Sequence, residues 1–227
     1  MNENKTSEVS KLRKVAILVI FYIDTVLHGV LIIGWSSIRQ MLESEGFFLI
    51  CDENETYCES EVSDQRSQMS HVFQLTMMLA GPIMFLLSLV NDNIGYGVQR
   101  SIAYLLLALC YLLLAISSPN IPMLQYIWIL HHPVSLFLVQ SGFTLCSFYQ
   151  NQAGLLINLG AGLLSASSLI PQAWLALVNA EILTRSQIFY IWLGLTLMSF
   201  IITTFLFPWH SITDPDFAPN FFDVVKR

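Results

Sequence analysis

Residues 15–35 read VAILVIFYIDTVLHGVLIIGW. The run is apolar for about 20 residues, long enough to cross a bilayer at a helical rise of about 1.5 Å per residue. Asp24 stands near its centre. A carboxylate at that depth costs at least about 2.5 kcal/mol on insertion scales. Asp24 should therefore face a partner, a helix bundle or a wet cavity, not lipid. A secretory signal has a shorter apolar core and a small-residue cleavage site. This run is longer, contains Asp24 and His28 and ends in GWSS. It is read as a retained membrane helix.

The rest of the chain follows the same pattern. Hydrophobic residues make up 55% of the 227, and charged residues only 11%, against about 25% in a soluble domain. Five further apolar stretches occupy residues 72–90, 102–116, 123–146, 153–178 and 188–207. Polar or turn-forming breaks separate them: the acidic segment 36–71, NDNIGYGVQR (91–100), SSPNIP (117–122), SFYQNQ (147–152) and NAEILTRSQ (179–187). The third stretch is the shortest and can borrow residues from both flanks. The expected fold is all-α: a polytopic membrane protein of six transmembrane helices. A cytoplasmic segment 1–14 precedes the bundle at 15–208, and a cytoplasmic tail 209–227 follows. The lipid bilayer is its first partner. The net charge of −6 is not a guide to other partners, because most of the acid lies in polar segments, and nothing points to nucleic acid.

Lysine and arginine set the orientation. With the N-terminus inside, Lys5, Lys11, Arg13, Lys14, Arg100, Lys226 and Arg227 share the cytoplasmic side, against Arg39, Arg66 and Arg185 outside. Both termini are expected in the cytoplasm. Segment 36–71 then becomes an acidic extracellular loop carrying Cys51, Cys58 and the sequon Asn54-Glu55-Thr56. Asn54 is a glycosylation candidate because it falls on the side that charge independently places outside. Cys51 and Cys58 can close a small disulfide loop in an oxidising compartment, or remain free thiols. A metal site would need more ligands, and no histidine lies between them. No metal is expected.

Asp24 and His28 are four residues apart and share one helix face. They either line a central cavity or form a satisfied structural pair. Gln140, Asn151, Asn158 and Gln172 are amides in or near the fourth and fifth stretches. They can hydrogen-bond a solute, or bond between helices. Asn158 stands out because Gly154, Gly160 and Gly162 permit close approach around it. Pro171 is placed to kink the fifth span, and His131-His132-Pro133 the fourth. Adjacent histidines on a helix point about 100° apart and are poor co-ligands for a metal. Asp92 and Arg100 flank Gly95 and Gly97, and read as a charge latch at a tight turn or as a plain polar turn. No phosphate-binding loop, HExxH or GxSxG occurs, so neither ATP drive nor an intramembrane enzyme has support, and no cofactor is expected.

Six spans with both termini inside resemble one half of a major facilitator transporter. Asp92 and Arg100 match the acid and the distal base of that superfamily's motif between spans two and three. Ser88 replaces its leading glycine and Asn93 the arginine after the acid. The chain more closely resembles the solute-carrier family of sodium-independent large neutral amino acid transporters, which also includes an equilibrative nucleobase transporter. The matching residues are Asp24, Gly34-Trp35-Ser36-Ser37, Gly46-Phe47-Phe48-Leu49-Ile50-Cys51, Cys58 and Asp64-Gln65-Arg66-Ser67. Asn158 falls at the family's Asn-Gly pair, with Leu159 in place of glycine. The segment 147–152 lacks that family's basic residues.

The resemblance implies about twelve spans in two halves with substrate held between them, so this chain corresponds to one half. It implies facilitative passage of a small neutral organic solute, large neutral amino acids first and nucleobases second, and a plasma-membrane location. A rival is a non-transporting membrane protein that needs a complementary half or a dimer partner.

Overall fold

The structure, a computed structural model, describes residues 11–48, 59–94, 96–119 and 123–207. The helices are α1 (Lys11–Ile33), α2 (Trp35–Ser44), α3 (Glu59–Ile94), α4 (Tyr96–Ile116), α5 (Leu124–Phe143), α6 (Ala153–Ala166), α7 (Leu169–Asn179) and α8 (Arg185–Leu206). A 3-10 helix, Thr144–Gln152, joins α5 to α6. No strand occurs among the described residues. Six segments are long and apolar enough to cross a membrane: Leu12–Leu31, Asp64–Leu89, Tyr96–Ile116, Leu124–Cys146, Ala153–Asn179 and Arg185–Leu206. The protein is an all-α, multi-pass integral membrane protein.

Helix α1 is central and packs against α5, α6 and α8, while α4 runs along α8 and α5, and α3 along α5 and α4. Large apolar side chains cover much of the outside, among them Val19, Met78, Phe85, Leu105, Leu155 and Ile201. In water such a surface would drive association, but lipid solvates it. The interior holds one extended cluster around Tyr104, Tyr111, Trp128 and Phe189, and a smaller one of Ile17, Phe21, Tyr96, Leu145, Cys146 and Phe207.

Several boundaries differ from the sequence expectation. The polar run 91–100 is not a ten-residue connection. Helix α3 continues to Ile94 and α4 starts at Tyr96, so Arg100 lies inside a helix. The residues looked like a loop because they are polar, but Tyr96 and Arg100 turn inward and find partners there. Segment 36–71 is partly helical, in α2 and the first turns of α3. The fifth span is two helices, α6 and α7. Its break at Ser167 and Ser168 fits Pro171, whose missing N–H removes a bond to Ser167. Helix α5, by contrast, runs through Pro133 as one assigned element. Residues 1–10, Cys51, Asn54, Cys58, Gly95 and the tail 209–227 lie outside the described residues.

Three local features show how the sequence sets these elements. Thr184 caps α8: its side chain accepts from Gln187 N at 3.3 Å, and Gln187 Oε1 accepts from Thr184 N at 2.9 Å. This reciprocal capping box satisfies two otherwise orphaned donors. Gly34 separates α1 from α2 where Pro171 of α7 presses on it, and Trp35 then turns inward against Phe73 and Trp128, with ring centroids 5.7 and 4.6 Å away. Phe21 is seated between Gly142 and Gly160, where a Cβ on Gly142 would clash with its ring.

That packing makes a contrast testable. Gly142→Ala forces a methyl into the Phe21 ring and should cost about 1–3 kcal/mol. Gly154→Ala and Gly162→Ala enter open space and should be neutral or stabilising by about 0.5–1 kcal/mol through lower backbone entropy. Thermal unfolding of the three variants in detergent reads the difference. Equal melting temperatures would contradict the packing.

Candidate functional site

Asp24 is 3% exposed and His28 1%. Both are sealed within the bundle and neither is presented on its surface. The partner that Asp24 demands is Arg100, whose Nη2 donates to Asp24 Oδ2 at 3.0 Å. The Tyr104 hydroxyl donates a short bond to the same oxygen. Arg100 also donates to Tyr104 Oη at 2.9 Å, Tyr96 Oη at 3.1 Å, Leu138 O at 3.3 Å and Ser141 Oγ at 3.4 Å. Its guanidinium lies 4.7 Å from the Phe207 ring centroid, a favourable cation–π contact in a desolvated site. Ser199 and Thr203 of α8 face the carboxylate and the Tyr104 phenol.

Helical spacing builds this arrangement. Tyr96, Arg100 and Tyr104 recur every four residues and stack on one face of α4. Asp24 meets that face from α1, and Leu138 and Ser141 approach from α5. A buried charge is tolerated when paired and hydrogen-bonded, and removing one partner typically costs about 3–5 kcal/mol. The cluster therefore ties α1, α4 and α5 together with α8 alongside.

His28 stands one turn beyond Asp24. Its Nε2 is 3.9 Å from Asp24 Oδ1, beyond hydrogen-bond reach, and its ring lies edge-on to Tyr104 at 5.6 Å. Its backbone carbonyl accepts a short bond from Ser135 Oγ of α5. Further along, His131 is fully buried, stacked on Trp128 at 6.0 Å and edge-on to Tyr111 at 5.0 Å.

The proposed latch is differently disposed. Arg100 is committed to Asp24. Asp92 lies in the last turn of α3, but its side chain and Gly95 are outside what the structure describes. The amide candidates Gln140, Asn158 and Gln172 are exposed on α5, α6 and α7. Asn158 points away from the bundle because Gly160, about 200° further round α6, is the packed position. The structure thus separates two groups that the sequence reading combined: Asp24 and His28 inside, Gln140 and Asn158 outside.

A second buried arginine was not singled out from sequence. Arg185, 4% exposed, begins α8. Its Nε donates to Glu45 Oε2 at 2.6 Å, while the rest of its guanidinium bonds Leu114 O, Ser117 Oγ at 3.0 Å and Ser117 O at 2.6 Å. Carbonyls at a helix C-terminus lack intrahelical donors, and Arg185 supplies them to α4. Near Phe48, an open groove of about 360 Å³ lies between α3 and α5, with Gln68, His71, Gln74 and Gln125 above an apolar floor of Val72, Leu75 and Met78. Among the described residues no group of three histidine, cysteine or acidic side chains could hold a metal.

A double-mutant cycle tests the central pair. Asp24→Asn and Arg100→Gln should each destabilise by about 3–5 kcal/mol by stranding the other charge, and the double variant should lose less than the sum. Unfolding in detergent measures all four corners. Additive or negligible losses would contradict a buried pair.

Comparison of the chain with known protein families, with curated proteins and with solved structures found no match.

Proposed function

We propose that this chain is a six-span carrier bundle for facilitated passage of a neutral organic solute, large neutral amino acids first, working against a covering bundle. The observation that carries the reading is the placement of uncharged amides on the outside of an apolar bundle. Gln140, Asn158 and Gln172 are exposed on segments apolar and long enough to cross a membrane, where an unpaired amide facing hydrocarbon is unfavourable. Gly154 and Gly162 leave open space along α6, one turn to either side of Asn158. Amides offer donors and acceptors without charge, which suits a neutral polar solute or a second bundle. The resemblance to major facilitator half-bundles, and within them to the neutral amino acid family, supports the same reading. Nucleobases are the alternative solute, because they too are neutral and rich in donors and acceptors.

The burial of Asp24 and His28 favours a rival. These residues do not present themselves to a solute, and their bonds hold the bundle together. In that reading the chain is a membrane protein that does not transport by itself.

Reconstitution separates the readings. The carrier reading expects saturable, sodium-independent uptake of labelled leucine into liposomes, competed by phenylalanine more strongly than by adenine. It also expects Asn158→Cys to cross-link to a second bundle in membranes. Stronger competition by adenine selects the nucleobase alternative. Absence of uptake together with a dispersed, uncross-linked chain selects the non-transporting rival.

Orientation has its own test. With both termini inside and the acidic segment outside, expression in glycosylating cells should give a glycosidase-sensitive mass shift that Asn54→Gln abolishes. Surface staining of a tag after Arg227 in intact cells would overturn the arrangement. The charge bias supports this orientation even without the buried arginines. Removing the buried, paired Arg100 and Arg185 from the count leaves six basic residues against two.

A further inference from the structure

Beyond the Asp24–Arg100 pair, the interior holds polar atoms that the chain itself does not satisfy. Both ring nitrogens of His28 and of His131, the Tyr111 hydroxyl and Trp128 Nε1 are buried with no hydrogen-bond partner in the chain. Asp24 Oδ1 likewise accepts no hydrogen bond. These groups form one connected line. His28 follows Asp24 at 3.9 Å. His131 stands one helical turn from Ser135 on α5, and Ser135 Oγ donates to the His28 carbonyl. Tyr111 of α4 and Trp128 of α5 both contact the His131 ring. Trp128 then meets Trp35, which stacks on Phe73. From Asp24 to the end of α1 at Ile33, beside which the line runs, is about 14 Å at 1.5 Å per residue.

An unmet buried polar group is costly, and the large majority of buried polar side-chain atoms in folded proteins have a partner. The chemistry of the line specifies what can meet them. A neutral imidazole needs one donor and one acceptor, Tyr111 can be either, and Trp128 only donates. The occupant must therefore both give and accept hydrogen bonds. A bare cation cannot accept from Trp128. An anion would face the Asp24 carboxylate. The charged and titratable groups around the line are Asp24 on α1, Arg100, Tyr104 and Cys110 on α4, and His132 on α5. Three such ligands do not gather at any point, as a metal would require.

We propose that the line from Asp24 through His28 and His131 to Trp128 binds a file of ordered water, a hydrated seam inside an otherwise apolar bundle. The seam connects the mid-depth ion pair with the aromatic cluster of Trp35, Phe73 and Trp128. It does not depend on the carrier reading and would exist in a protein that transports nothing.

Radiolytic footprinting of the full chain in lipid nanodiscs tests it. Short X-ray pulses make hydroxyl radicals from water where it lies, so a buried side chain is oxidised when water touches it. Trp128 is 0% exposed and Trp174 is 4% exposed. A dry interior predicts that Trp128 reacts no faster than Trp174. The seam predicts that Trp128 reacts several-fold faster, with His131 and Tyr111 labelled as well. Tyr111→Phe, which removes one anchoring hydroxyl and keeps the ring, should lower the Trp128 rate while leaving Trp174 unchanged. If that variant does not fold, the wild-type comparison decides alone. A Trp128 rate at or below that of Trp174 in protein that retains its melting transition would overturn the proposal.

Discussion

A charge inside a low-dielectric bundle must be neutralised by the protein itself, because lipid cannot do it. Asp24 imposes that requirement in the first span, and Arg100 answers it. Once the carboxylate of α1 is bound to the guanidinium of α4, the neighbouring elements have little freedom. Tyr96 and Tyr104 must lie on the same face of α4 to fill the remaining donor and acceptor positions. The α5 segment carrying Leu138 and Ser141 must come close enough to accept from Arg100. Phe207, just past the end of α8, covers the cation with its ring. The pair lies between the two hydrophobic clusters: Tyr104 belongs to one and Tyr96 to the other.

Near the far end of α4 a second arginine applies the same principle to backbone groups. Arg185 bonds carbonyls at the C-terminal end of α4 and joins them to Glu45, while the Phe47 ring lies 4.9 Å from its guanidinium. Antiparallel helices α4 and α8 are thus fastened near both ends. Each fastening uses a guanidinium, whose planar fork serves several acceptors at once. A lysine at either place would keep the charge but lose most of the bonds.

Much of this protein was readable before any coordinates. Length and hydropathy were enough for six spans, because a bilayer core has a fixed thickness and an apolar helix crosses it in about 20 residues. The demand of Asp24 for a buried partner followed from electrostatics alone. The identity of the partner did not. Arg100 looked like part of a polar turn because hydropathy averages a window and cannot see which way a side chain points. The four-residue recurrence of Tyr96, Arg100 and Tyr104 was the available signal, and it marks one face of a helix rather than a loop. Asn158 and Gly160 carry the opposite lesson. Two residues apart in sequence, they face opposite sides of α6, and only the packing of Gly160 against Phe143 and Phe21 decides which side is inside.

By itself the sequence determined the solvent, the number of spans and the existence of one costly buried acid. These depend on local composition and on distances along a single helix, which sequence encodes directly. Tertiary structure alone decided that Asp24 meets Arg100, that His28 and His131 fall on one line, and that Gln140 and Asn158 look outward. Those outcomes depend on how helices rotate about their own axes and which neighbours they meet. Rotation is set by the sum of many contacts across the bundle, and no single stretch of sequence contains that sum.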